Sequence, residues 1–300
     1  MTQAGVPSSR MLSTIPVNPG LMASLLRLLS VIDDLPPGAT GALHFADQGV
    51  VLLQARKICW AVARSMRLRL TDILRNQSTP PVPREAVEAI YRRCKESGTP
   101  IGEALVASGL ASEASLGAAL FKHNGEAIAT LARGGMAPGP FTSHSKTGYD
   151  PKFSFSVCEV LAMFGALDDP AGAAAAQLEL SSTLVPDSTG AAFTRSSVSS
   201  GVVVVAVDRA CDLQVRDLLE LCSWSAGLID LARTFDRAVL AGRVAWGSQA
   251  SLVTWRFQDV GYVALCSSRA AAARLVSRLA ERTSRQSGTL LIANAGGTRP

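Results

Sequence analysis

Residues 201–236 read GVVVVAVDRACDLQVRDLLELCSWSAGLIDLARTFD, a strand running into a helix. The run 202–207 is unbroken, apolar and rich in Val, as a buried strand is, and Asp208 stops it. From 212 to 236 the spacing becomes helical, with Arg216, Glu220, Ser223, Gly227, Asp230 and Thr234 recurring every three or four positions as one narrow polar stripe. A helix with so little wet surface needs covering on more than one side, first by its own sheet and then by a partner. Leu219, Trp224 and Leu228 are its candidate contacts.

Downstream, three strands are expected at 239–246, 251–257 and 260–266, and a closing helix at 270–285. In the middle strand Val253, Trp255 and Phe257 alternate with Leu252, Thr254 and Arg256, the period-two pattern of a sheet with unlike faces. Trp255 and Phe257 are readable either as core or as interface anchors, since large aromatics serve both. Upstream, an Ala-rich helix at 171–183 precedes a weak strand near 191–194. The final residues, 287–300, read as a loose tail.

The first half is punctuated differently. Residues 1–19 hold three prolines and no period, and read as a flexible arm. A short amphipathic helix at 21–32 ends at Pro36 and Pro37. The segments 41–45 and 50–54 flank Asp47, Gln48 and Gly49, a hairpin signal. Helices are expected at 68–74, 85–95, 102–107 and 112–131, the last opened by Ser112 with Ser115 three residues on. A second short hairpin, 141–143 with 152–155, leads into a helix at 157–167. The fold class is therefore α+β in two domains: a mostly helical one with short hairpins over 20–169, and an α/β sandwich on an antiparallel sheet over 170–286.

Composition narrows the function classes. The chain has 300 residues, 48% hydrophobic and 18% charged, with a net charge of +5. That suits a globular protein, and the basic excess is too small and too spread for a dedicated nucleic-acid binder. The six cysteines are unpaired in spacing and sit in apolar segments, which points to a reducing cytoplasm. No segment reads as a signal peptide or a bilayer span.

No catalytic or metal-binding constellation emerges. His44, His123 and His144 lack Cys, Asp or Glu at ligand spacing, and the string Gly247, Ser248, Gln249 joins two strands, unlike a nucleophile elbow. No cofactor is expected. Arg56, Lys57, Arg64, Arg67, Arg69 and Arg75 form the densest basic cluster; Arg64, Arg67 and Arg69 are its candidate anion-binding members, against the alternative of a solvated helix face.

Two resemblances bear on function. The order helix, strand, strand, helix, three strands, helix, with VAWGSQASLVTWRFQDVGYVALCSS at 244–268, resembles the roadblock family related to dynein light chains. That resemblance implies a noncatalytic dimer that accompanies a Ras-like small GTPase. The blocks TGALHFADQGVVLLQARKICWAV (40–62), PIGEALVASGLASEASLGAALFKHNGEAIATLA (100–132) and GPFTSHSKTGYDPKFSFSVCEVL (139–161) look like the bacterial PATAN-type adaptor domain, found beside response-regulator receivers. The middle block also resembles the helical amino-terminal domain of secretion and pilus ATPases, some of which bind a cyclic dinucleotide. Together they imply a cytoplasmic bacterial signalling adaptor that forms a homodimer and binds a small GTPase or response regulator. The alternative is a regulator that captures an anionic nucleotide messenger through its first half.

Overall fold

The computed structural model describes residues 19–77, 82–97, 101–135, 137–145, 149–196, 201–233, 239–246, 250–285 and 290–295. Residues 1–18 of the expected arm, Thr234, the turn at 247–249 and residues 287–289 and 296–300 of the expected tail lie outside those residues, whereas Pro19 opens the first helix. The fold is mixed α+β, and the chain divides into two compact units at Val160 and Leu161.

The first unit begins with α1 (Pro19–Asp33), whose stripe of Leu21, Leu25, Leu28, Leu29 and Ile32 is buried. Strands β1 (Gly41–Phe45) and β2 (Gly49–Gln54) form the expected hairpin. The apolar run β3 (Lys57–Ala63) adds a third antiparallel strand. Then come α2 (Leu70–Gln77), α3 (Arg84–Ser97), α4 (Ile101–Ala107) and α5 (Glu113–Arg133). Gly109, at φ 72°, takes the left-handed position after α4 and lets the Leu110 amide donate to the Leu105 carbonyl, a Schellman closure. Ser112 and Ser115 make the reciprocal cap that starts α5.

The expected second hairpin does not form. β4 (Phe141–Ser143) pairs with β1, giving the order β3-β2-β1-β4. Residues Pro151–Phe153 instead close a 3₁₀ turn headed by Asp150, whose carboxylate accepts the Lys152 amide at 3.0 Å. Pro151 has no amide to give a ladder, and an Asp-Pro pair favours turns. Phe155 then pairs with Ile58 on the outer edge of β3, amide to carbonyl in both directions at 2.8 and 2.9 Å. Farther along that edge the Ala61 amide donates to the Asn124 side-chain oxygen of α5 at 2.9 Å. A strand edge that would template another chain is thereby closed by its own unit. The helix α6 (Val157–Gly165) follows.

The second unit runs α7 (Pro170–Thr183), β5 (Ser188–Arg195), β6 (Val202–Val207), α8 (Val215–Arg233), β7 (Val239–Trp246), β8 (Ala250–Phe257), β9 (Val260–Cys266), α9 (Arg269–Arg285) and β10 (Leu290–Ala295). The weak strand foreseen near 191–194 is a full eight-residue β5, paired on both sides. The sheet order is β10-β7-β8-β9-β5-β6, antiparallel except for β10. Residues 290–295, expected within a loose tail, pair in parallel with β7 in continuous register, because the apolar segment LLIANA finds an unpaired edge there. At the opposite edge Gly165 lies against β6. A Cβ there would come within 1.9 Å of the Val204 carbonyl oxygen, so only glycine permits this approach.

Helices α7 and α9 cover one face of the sheet. Their Leu180, Leu275 and Leu279 share a core with Val253, Trp255, Tyr262 and Ala264. On the other face Phe193 and Ile229 of α8 meet at Gly261, placing α8 there. Covered on both sides, Leu252 and Val253 are alike buried. Sequence alternation in β8 thus separates two cores, not core from solvent.

Candidate interaction surface

Helix α8 turns Val215, Leu218, Leu221, Cys222, Ala226 and Ile229 to the sheet. The outward face is wider than the narrow stripe expected: Arg216, Asp217, Glu220, Ser223, Trp224, Gly227, Asp230 and Leu231 are all exposed. A single sheet covers about half of a helix's circumference. Two large apolar side chains sit in that wet half, Trp224 at 42% exposure and Leu231 at 59%. Leu228 lies half-buried beside them, one turn from each, and Leu219 is half-buried farther back. Between them Gly227 leaves a notch, since a Cβ built there meets nothing within 4 Å. Leu231 was not singled out from the sequence, although its seven-residue spacing from Trp224 puts the two on one line of the helix.

The aromatic candidates on β8 separate. Trp255 is 1% exposed and stacks on Tyr262 of β9, ring centroids 5.2 Å apart. It is core, and cannot serve as a surface anchor, because the α7 and α9 layer lies over it. Phe257 is half-buried at the margin of the same core.

No family model, curated protein or solved structure matches this chain.

The basic cluster is not a helix face. Arg56 and Lys57 lie at the β2–β3 turn, whereas Arg64, Arg67 and Arg69 follow the far end of β3, in the connection to α2. Arg56 is left-handed, at φ 63°, and its guanidinium donates to the Asp33 carbonyl at 3.4 Å. Arg64 pairs with Asp47 at 3.2 Å, both largely exposed, and Arg75 reaches Asp72 within α2. Arg67 and Arg69 are exposed and have no described partner.

His44 and His144 are exposed, and His123 is buried on α5. Its ring stacks on Trp60 of β3 at 4.5 Å, and Tyr149 stacks on the same indole at 6.2 Å. Neither ring nitrogen of His123 makes a well-formed hydrogen bond, a weaker interaction with the Ala61 backbone aside. Burial holds its pKa down at about 4, only partly offset by the Ala61 backbone, so the ring is neutral. On the same helix burial lowers Lys122 against the pull of Glu126, and raises Glu126 against Lys122 and Arg133. Burial explains each shift. Among the described residues no three His, Cys, Asp or Glu groups surround a cation position, and no helix is long and apolar enough to cross a membrane.

Proposed function

We propose that this protein is a noncatalytic bacterial signalling adaptor working in the cytoplasm. Its second unit is roadblock-like and associates with a second copy through the outer face of α8, and its first unit is PATAN-like. A Ras-like small GTPase or a response regulator is the partner class these resemblances imply. The observation that carries the reading is Trp224 and Leu231 exposed on one line of α8 beside the Gly227 notch. The element order α7, β5, β6, α8, β7, β8, β9, α9 supports the roadblock likeness. Trp is the residue most often found at the energetic centre of interfaces, and a neighbouring notch gives it somewhere to insert. A stable dimer needs about 800 Å² from each partner, so α8 forms the centre of the contact and its surroundings the rim.

Ser223→Cys, on the same exposed face and leaving the Gly227 notch open, tests this surface directly. The described native cysteines are buried, so a new thiol at 223 is the accessible one. Mild oxidation is expected to give a linked dimer on a denaturing gel, because a disulfide requires Cα atoms within about 7 Å. A variant that stays monomeric under oxidation counts against an α8 to α8 contact.

One observation favours a second reading, capture of an anionic nucleotide messenger: the exposed Arg67 and Arg69 without described partners. Alanine at Arg64, Arg67 and Arg69 together is then expected to abolish binding of a cyclic dinucleotide in titration. A wild-type chain that responds to no cyclic dinucleotide ends that reading.

A further inference from the structure

The first unit holds a cleft of about 370 Å³ at one end of its sheet, between the β1–β2 turn, the end of β3 and the last turn of α5. Its floor is Phe45, Ala63 and Leu131, already 0%, 3% and 3% exposed. A ligand would gain little by covering them further, so recognition falls to the polar walls. Those are the Ser65 hydroxyl, the Gln48 carboxamide, Thr130 and the Arg133 guanidinium. Ser65 has no described partner. Thr130 donates to the Glu126 carbonyl at 2.7 Å and keeps its oxygen as an acceptor, and the Gln48 amide nitrogen is taken by Asp47 at 3.1 Å, which leaves its carbonyl oxygen as an acceptor.

Charge narrows the ligand. No acidic side chain lines the cleft; of the carboxylates near it in sequence, Asp47 pairs with Arg64, and the half-buried Glu126 faces Lys122 as well as Arg133. The cationic group in the lining is Arg133, which suits one carboxylate. The same wall is the C-terminal end of a 21-residue helix, whose last carbonyls carry partial negative charge. They disfavour a second anionic group and favour a donor such as an ammonium. We infer that the cleft takes a small zwitterion of the amino-acid class, its carboxylate on Arg133 and Ser65 and its ammonium toward the α5 carbonyls, Thr130 and Gln48. This site shares no residue with the α8 face; Ser65 lies in the loop that carries Arg64, Arg67 and Arg69, none of which lines the cleft.

The test is an amide-resolved NMR titration of the full chain with L-glutamine as probe. Two analogues are run beside it: 4-carbamoylbutyrate, which lacks the ammonium, and 4-aminobutyramide, which lacks the carboxylate. Glutamine is expected to give saturable shifts at Gln48, Ser65, Thr130, Arg133 and Gly134, with an affinity of about 1 mM for so small a ligand. Each analogue is expected to bind at least about tenfold more weakly, as is glutamine to Arg133→Gln, a surface change that leaves the fold intact. Ser65→Ala is expected to weaken binding several-fold. The absence of saturable shifts at these residues, or an analogue or the Arg133 variant binding as well as glutamine to the native chain, overturns the inference.

Discussion

His123 shows how a single buried side chain sets a pH response. Its imidazole stays neutral in the fold, with a pKa of about 4 against 6.5 when free. Above pH 6.5 both folded and unfolded chains carry it neutral, and it costs nothing. As pH falls from 6.5 toward 4 the unfolded chain takes up a proton that the folded chain refuses. Stability is therefore lost across that window, by about 3 kcal/mol when the transfer is complete. His123→Phe, which keeps a ring against Trp60, is expected to flatten this part of the profile in urea melts run between pH 7 and pH 4. An unchanged slope in the variant would place the pH dependence elsewhere. This residue's burial is not legible in the sequence: a lone histidine carries no mark of the face it takes, and only the packing of α5 on β3 puts its ring against Trp60.

Among the elements, α7 and α9 are joined by arginines in a pattern that the sequence displays only as helical spacing. Arg274, Arg278 and Arg282 recur every four residues on α9 and reach the end of α7 and the turn after it. Arg278 donates to the Leu184 carbonyl at 2.7 Å, Arg282 pairs with Glu179 at 2.8 Å and bonds the Thr183 hydroxyl, and Arg274 lies 3.5 Å from Asp187. The end of α7 has no basic residue of its own, so α9 supplies the positive charge its last carbonyls favour. The Glu179 side chain is only 13% exposed, which makes losing its partner expensive. Arg282→Gln is expected to lower stability by about 1–2 kcal/mol. Glu179→Gln is expected to cost less, and a double-mutant cycle to show favourable coupling; additive effects would mean that the pair contributes nothing.

Element order was readable where an element announces itself locally: the Val run of β6, the alternation in β8, the Ser112 and Ser115 cap of α5. Pairing was not readable, because it is non-local. Nothing near 141–143 shows that its partner is β1, and nothing near 290–295 shows that β7 has an open edge. The α8 stripe misled in the same way. Helical spacing gives the faces, but the share that a sheet covers depends on elements elsewhere in the chain.

For the molecule as a whole, each unit builds its own sheet and protects an edge, the first with Asn124 and Phe155, the second with the Gly165 approach to β6. The proposed association rests on a side-chain surface, the face of α8 that exposes Trp224 and Leu231. Sequence spacing marks that helix as a candidate contact with Trp224 on it, and offers Trp255 as well, which lies in the core under α7 and α9. The decisive measurement is sedimentation equilibrium of the native chain and of the double variant Trp224→Ser, Leu231→Gln, with circular dichroism to verify folding. A dimer is expected for the native chain at tens of micromolar, and a folded monomer for the variant. A native monomer at those concentrations, or a variant that dimerises equally well, would contradict it.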